Sequence, residues 1–297
     1  MKVVLFCGGY GMRIRDYSES TPKPMVPVGY RPILWHVMKY YAHYGHKDFI
    51  LCLGWKANVI KEYFLKYDEC VSNDFVLSSG GKNVSLLGSD IQDWNITFVN
   101  TGHGALIGER LKAVERHLDG EETFLANYTD GLSDVHLPSM IDFHQNHRGM
   151  ATFLSVRPPQ TFHTISISDE GRVTQICDAR STDVWVNGGF FVLNRGIFDY
   201  LGKGRDLMGP AMAELIDERR AYSYRHQGFW SCMDTYKEKQ TLDEMYDRGN
   251  PPWEVWKHAE THSGTPSSAE TASGQGSGCQ PLPVDQASTV QVAANAN

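Results

Sequence analysis

The chain has 297 residues, room for one large α/β unit or two smaller domains, and 41% of them are hydrophobic, enough for a sizeable core. Its net charge of −7 excludes a general nucleic-acid binder, whose electrostatics demand the opposite sign, so any basic surface must be local. No apolar run approaches ~18 residues, so no membrane span is expected, and the first residues run straight into a strand rather than a signal peptide. Six cysteines without a CxxC pair point to reduced thiols of a cytoplasmic protein, not a disulfide framework.

The chain is organised around residues 2–25. Val3-Val4-Leu5-Phe6 predicts a buried parallel strand. It runs into Cys7-Gly8-Gly9-Tyr10-Gly11-Met12-Arg13, where the glycines let the backbone bend tightly and bring N–H groups close to a ligand. Such groups want an anion, and Arg13 and Lys23 place two fixed cations beside them. Strand, glycine loop and cations together suggest a nucleoside triphosphate site. No Gly-Lys-Ser/Thr follows, so this is not a Walker A loop. Ile14 stands at the third glycine position of the dinucleotide fingerprint, which counts against an NAD-dependent dehydrogenase. Taken alone, the glycines also fit an ordinary strand-ending turn.

Pro32 precedes an apolar helical pattern over 33–41 that Gly45 ends. A second buried strand is predicted over 49–53 and an amphipathic helix over 57–67, the succession that gives crossovers in a parallel sheet. Residues 68–92 have no strong period and are expected to form a loop-rich insertion. A strand over 94–99, a helix over 106–117 and a strand over 123–127 restore the alternation. Further on, the pattern predicts a helix over 137–146, a strand over 151–156, a hairpin of 164–167 with 173–176, and a strand over 185–193. A helix over 210–220 and a strand over 222–225 follow.

Two carboxylates stand out. Asp130 lies just past the strand 123–127, where ligands of open α/β sheets bind, and can hold the Mg²⁺ that accompanies a nucleotide. Asp130-Gly131 is equally an ordinary turn pair. Asp234, at the head of a helix, is either its cap or a second metal ligand. Asn187-Gly188-Gly189 interrupts an apolar strand, which fits close approach of a sugar or simple structural spacing. His43-x-x-His46 and His144-x-x-His147 lack a third ligand and are expected at solvated helix ends. The segment 259–297 is Ser, Thr, Gly, Ala and Gln with no aromatic residue, so residues 1–258 are expected to form the folded domain and 259–297 a disordered tail.

These stretches resemble the sugar-phosphate nucleotidyltransferases, and within them the glucose-1-phosphate cytidylyltransferases. The resemblance is carried by Gly8 to Arg13, Pro22-Lys23-Pro24-Met25, Pro32-Ile33-Leu34-Trp35-His36, Val59-Ile60-Lys61-Glu62-Tyr63-Phe64, Thr101-Gly102, Tyr128-Thr129-Asp130-Gly131, Val186 to Leu193, Met233-Asp234-Thr235 and Trp253. It implies a Rossmann-like α/β fold with a mixed, mostly parallel central sheet flanked by helices and a small β-rich sugar-binding part. It also implies the reaction of CTP and a sugar 1-phosphate to a CDP-sugar and pyrophosphate, in nucleotide-sugar and polysaccharide biosynthesis. The nucleotide site then maps onto Phe6, Cys7, Gly8, Gly9, Tyr10, Gly11, Met12, Arg13, Lys23, Arg110 and Asp130. The catalytic set is Arg13, Lys23 and Asp130, Mg²⁺ falls to Asp130 and Asp234, and the sugar to Asn187 and Gly188. A homo-oligomer is implied, with no nucleic-acid or membrane partner.

The chain departs from the family pattern on the acceptor side. Met12 replaces a threonine of the loop, and Ala105, Ile107 and Glu109 depart from the hydroxyl residues and glycine after Thr101-Gly102. The Glu-Lys-Pro whose lysine grips the sugar phosphate aligns with Cys177-Asp178-Ala179, with Arg180 two residues beyond the lysine position, and the sugar loop around Phe162-His163-Thr164 is altered. A different acceptor is therefore expected. A non-catalytic relative that binds nucleotide and regulates a partner is the alternative. Retention of Arg13, Lys23, Asp130 and Asp234 together favours the enzyme, because paired carboxylates repel each other without an ion between them.

Overall fold

The computed structural model describes residues 1–8, 21–158, 163–179 and 182–257. Residues 9–13, 180 and 258–297 therefore lie outside the described residues, and with them most of the glycine loop, Arg180 and the expected tail.

Seven strands form the main sheet: β1 (Val3–Phe6), β2 (Asp48–Leu53), β3 (Asn95–Asn100), β4 (Thr123–Tyr128), β5 (Ala151–Val156), β6 (Val186–Asn194) and β7 (Ala221–His226), in the order β7-β5-β6-β4-β1-β2-β3. Only β6 runs against its neighbours; the β1–β2, β1–β4, β2–β3 and β5–β7 ladders are parallel. This is the mixed, mostly parallel sheet expected. β1 shows why its apolar run is unbroken: Val3 and Leu5 face one core, Val4 and Phe6 the other, and all are buried. A strand covered on both faces has no polar side to alternate with.

On the first face lie α1 (Ile33–His43), α2 (Ala57–Leu65), α4 (Leu137–His147) and α6 (Tyr236–Asp247); α3 (Ile107–Val114) and α5 (Met212–Asp217) cover the second. α1 is apolar almost all round because a second layer closes over its outer side. The Trp35 indole N–H donates to Tyr67 Oη at 2.7 Å, and Trp256 packs edge-on against Trp35.

The structure corrects the reading at four places. Residues 68–92 contain a hairpin of Phe75–Ser78 with Asn83–Leu86, both strands exposed. With neither face buried, no period marks it. Asp90 anchors the segment, accepting from Lys39 (3.2 Å), Tyr67 (3.0 Å), Asn73 (3.0 Å) and Ser72. The helix expected over 210–220 is shortened to α5, because Gly209 is non-helical, Pro210 has no N–H to donate, and Arg219 turns left-handed at φ +57°. His144 is not at a solvated end: it is buried between Thr152 Oγ1 and Asn194 Oδ1. Asp234 does not cap α6, since Thr235 accepts from Glu238 N and Glu238 reaches back to the Thr235 N–H, a capping box.

Residues 158–184 belong to a separate unit, whose described part is the hairpin of His163–Ile167 with Val173–Asp178. It turns at Gly171, which has φ +81°.

His36 sits in the α1 core with no exposure. Its Nε2 donates to Val28 O at 2.9 Å, and its Nδ1 accepts from the Trp253 indole at 3.4 Å. That tautomer leaves no acceptor for a second proton, and burial pushes the pKa down to about 4 from 6.5. The unfolded chain takes up a proton below 6.5 that the native state refuses, so stability falls as pH drops through this window. Chemical denaturation should show wild type losing about 3 kcal/mol between pH 7 and 4 from this group, at ~1.4 kcal/mol per unit. His36→Gln should flatten the slope by that amount; an unchanged pH dependence would exclude His36 as its source.

Candidate active site

The carboxyl ends of β1, β2 and β4 converge. Cys7 N donates to Cys52 O at 3.0 Å, and Thr129 Oγ1 donates to Phe6 O at 3.0 Å, tying the three strand ends together. Below them lies Arg110, 2% exposed. Its guanidinium donates to Thr101 Oγ1 (2.8 Å), Gly102 O (2.8 Å), His103 O (3.1 Å) and Leu53 O (3.4 Å). A Cβ on Gly8 would stand 2.2 Å from the guanidinium carbon. Gly8 is therefore glycine because Arg110 packs against it, and Arg110 supports the start of the loop from within the protein. Phe6 and Cys7 are buried too, and burial raises the Cys7 pKa well above the usual thiol range.

A short ladder builds the acidic part. Gly131–Ser133 pairs antiparallel with Trp230–Cys232, with Gly131 opposite Cys232, and Met233 N donates to Asp130 O at 2.8 Å. Asp130 and Asp234 both lie at the Gly131–Cys232 end of this ladder and so come together. Lys23, on a short turn over Lys23–Met25, donates to Asp130 Oδ2 at 2.6 Å and to Asp234 Oδ1. Burial lowers the Lys23 pKa, but the two carboxylates outweigh it and the net shift is upward. The ammonium stays charged.

The carboxylates open onto a cavity of about 620 Å³, also lined by Tyr128, Asn187, Gly188, Trp230 and Cys232. Trp230 Nε1 donates to Gly188 O at 2.8 Å, and a Cβ on Gly188 would press on that indole at 3.2 Å. Gly189 (φ +74°) and Phe190 (φ +47°) form a bulge in β6, opposite Leu154. The glycine pair thus has a structural reason, and the bulge also presents Asn187 at the cavity.

Of the residues singled out from sequence, Lys23, Asp130, Asp234, Asn187 and Gly188 meet here; Arg110 and Gly8 lie beneath the neighbouring strand ends, and Gly9, Tyr10, Gly11, Met12 and Arg13 lie outside the described residues. Trp230 and Cys232 were not anticipated. Their signal was the alternation with Ser231 in a short strand that ends two residues before Asp234. Burial, then Glu238 and the two aspartates, pushes the Cys232 thiol up to about 12, so it is a neutral wall of the cavity.

Two oxygens that accept from one ammonium are no farther apart than two hydrogen-bond lengths, roughly 6 Å. A divalent cation bridging two carboxylates at about 2.1 Å from each needs less than that, so the pair suits an oxygen-liganded ion such as Mg²⁺ after a small contraction.

The profile of the family described as Nucleotidyl transferase matches residues 2–238. A probable glucose-1-phosphate cytidylyltransferase of Bacillus subtilis is 39% identical over 258 residues, covering 86% of this chain and 100% of the relative. The glucose-1-phosphate cytidylyltransferase of Salmonella typhi is 36% identical over 260 residues, 86% of this chain and 100% of the relative. Among solved structures, a UTP-bound UGPase from Acinetobacter baumannii superposes with a TM-score of 0.61 at 18% identity, covering 88% of this chain and 99% of that one. Matched over most of its length by the family profile and by relatives aligned end to end, the chain belongs to the nucleotidyl transferase family.

Proposed function

We propose that the protein catalyses Mg²⁺-dependent transfer of a cytidylyl group from CTP to a sugar 1-phosphate, giving a CDP-sugar and pyrophosphate. The observation that carries this reading is the meeting of Asp130 and Asp234 on Lys23 at the carboxyl end of a parallel sheet. The activity named for the cytidylyltransferase relatives supports the choice of base and acceptor class.

The acceptor's phosphate oxygen is already an anion, so it attacks the α-phosphorus without a general base. The new P–O bond forms as the bond to the β-phosphate oxygen breaks, and pyrophosphate leaves with that electron pair. What the chain supplies is alignment and charge. Asp130 and Asp234 would hold Mg²⁺, whose charge, when bound, offsets that of the phosphates. Lys23 would offer its ammonium to phosphate oxygens, the role that the family resemblance also gives to Arg13. Asn187 and the Gly188 backbone orient the sugar, and Trp230 shields the cavity from water.

Pyrophosphate release measured over CTP, UTP, dTTP, ATP and GTP against a panel of sugar 1-phosphates should favour CTP; folded protein inactive with every pair would overturn the reading. Asp130→Asn and Asp234→Asn should each lower kcat by about 10²–10³ with circular dichroism unchanged. They should also abolish Mn²⁺ binding followed by electron paramagnetic resonance; retained binding would remove that residue from the metal site.

Lys23 gives a separate test. Without it two carboxylates face each other with no cation between them. Lys23→Met should melt about 3 °C lower than wild type in EDTA and regain the difference in millimolar Mg²⁺. A deficit that Mg²⁺ does not repair would show that the two cations do not share one position.

A further inference from the structure

Two guanidinium groups stand against one indole at the edge of the sheet. The guanidinium carbon of Arg157 lies 4.2 Å from the centre of the Trp185 ring, and that of Arg225 5.3 Å from it. Three strands deliver them. In the parallel β5–β7 ladder Ser155 faces Arg225, and in the antiparallel β5–β6 ladder Val156 faces Val186. The next residues outward, Arg157 and Trp185, continue that last register. In a chain of net charge −7 such a pairing is a local device, not a sample of a basic surface.

Its position is informative. These are the carboxyl ends of β5 and β7, the end of an open α/β sheet at which ligands bind. Asn187 lies two residues from Trp185, about 7 Å of extended chain, and lines the cavity that holds Asp130 and Asp234. The ionisable lining of that cavity is acidic, and Lys23 is engaged by both carboxylates. Among the described residues, Arg157 and Arg225 bring positive charge to the strand ends beside Asn187. A guanidinium stacked on an aromatic ring is fixed in place while the N–H groups at its rim still fit the oxygens of a phosphate or carboxylate. Arg157 and Trp185 are half-buried and Arg225 is exposed, so the group is framed at its base and reaches solvent at Arg225.

We propose that Arg157, Arg225 and Trp185 form an anion site for the acceptor, binding a phosphate or carboxylate of the sugar substrate. The inference rests on the nucleotidyl-transfer reading above. The group bound is either the 1-phosphate that every acceptor carries or a second acid on the sugar.

Arg157→Gln, Arg225→Gln and the double variant test it, with glucose 1-phosphate, glucuronic acid 1-phosphate and glucose 1,6-bisphosphate as acceptors. Each substitution should raise the acceptor KM roughly tenfold, and the pair about a hundredfold. The KM for CTP should move less than threefold, and kcat should fall by less than the acceptor KM rises. A rise for all three acceptors assigns the site to the 1-phosphate; a rise confined to the doubly acidic ones assigns it to the second acid. Trp185→Ala should raise the same KM about threefold and Trp185→Phe should restore most of it. Unchanged acceptor KM in the double variant overturns the proposal. Calorimetry with each sugar phosphate, and with glucose as the uncharged control, decides the case independently of turnover. If wild type turns over no pair yet binds the sugar phosphates, and the double variant does not, the reaction fails and the anion site stands. Equal affinity in both proteins, or none in either, overturns the site.

Discussion

One ammonium group joins parts of the chain that the sequence keeps far apart. Lys23 is 107 residues from Asp130 and 211 from Asp234, yet it donates to both. Their convergence comes from the ladder of Gly131–Ser133 with Trp230–Cys232, only three residues long on each side. A two-stranded ladder of that length is marginal by itself. Here it is held by side chains at both ends. Ser133 Oγ donates to Phe229 O at 2.8 Å, Trp230 donates to Gly188 O, and Met233 is fully buried in the α1 core. The acidic pair is thus set by packing of the main core, and Lys23 offsets the repulsion that this packing creates.

The same packing explains why the cavity has neutral walls beside its charges. Tyr128 and Cys232 are both pushed up to about 12, chiefly by burial, so neither ionises in the range where Lys23 and the carboxylates are charged. Among the described residues, the charges that meet here are Lys23, Asp130 and Asp234, with Glu238 behind Cys232. A triphosphate or sugar phosphate entering it meets a small number of fixed charges in a partly desolvated setting, where each interaction is stronger than in water.

Much of this was legible in the sequence, for definite reasons. β1 and β2 lie between two cores, and continuous apolar runs identified them. Asp130 was found because it follows β4 directly. Other features carried no local signal. The hairpin Phe75–Leu86 buries neither face, so its strands lack a period. The choice of Thr235 over Asp234 as the cap of α6 depends on Glu238 reaching back, and two adjacent cap-forming residues cannot be ranked without that contact. His144 looked like a helix-end residue because its partners, Thr152 and Asn194, lie on other strands.

Gly8 shows how a correct motif can carry two causes. Glycine at the end of β1 suggests a backbone cleared for a ligand, but a Cβ there would strike the Arg110 guanidinium before anything outside the protein. Gly54 meets the same constraint, with a Cβ falling 3.0 Å from Gly8 Cα and 3.1 Å from Arg110 Nη1. The first glycine of the loop therefore admits a buried cation from below, and that cation fixes the carbonyls of Gly102 and His103 around the strand ends. Because the guanidinium is buried, water screens its charge weakly, and it adds to the positive potential at the start of the loop. Arg110 thus supports Gly8 and the strand ends from below, with its guanidinium N–H groups already committed to Leu53, Thr101, Gly102 and His103.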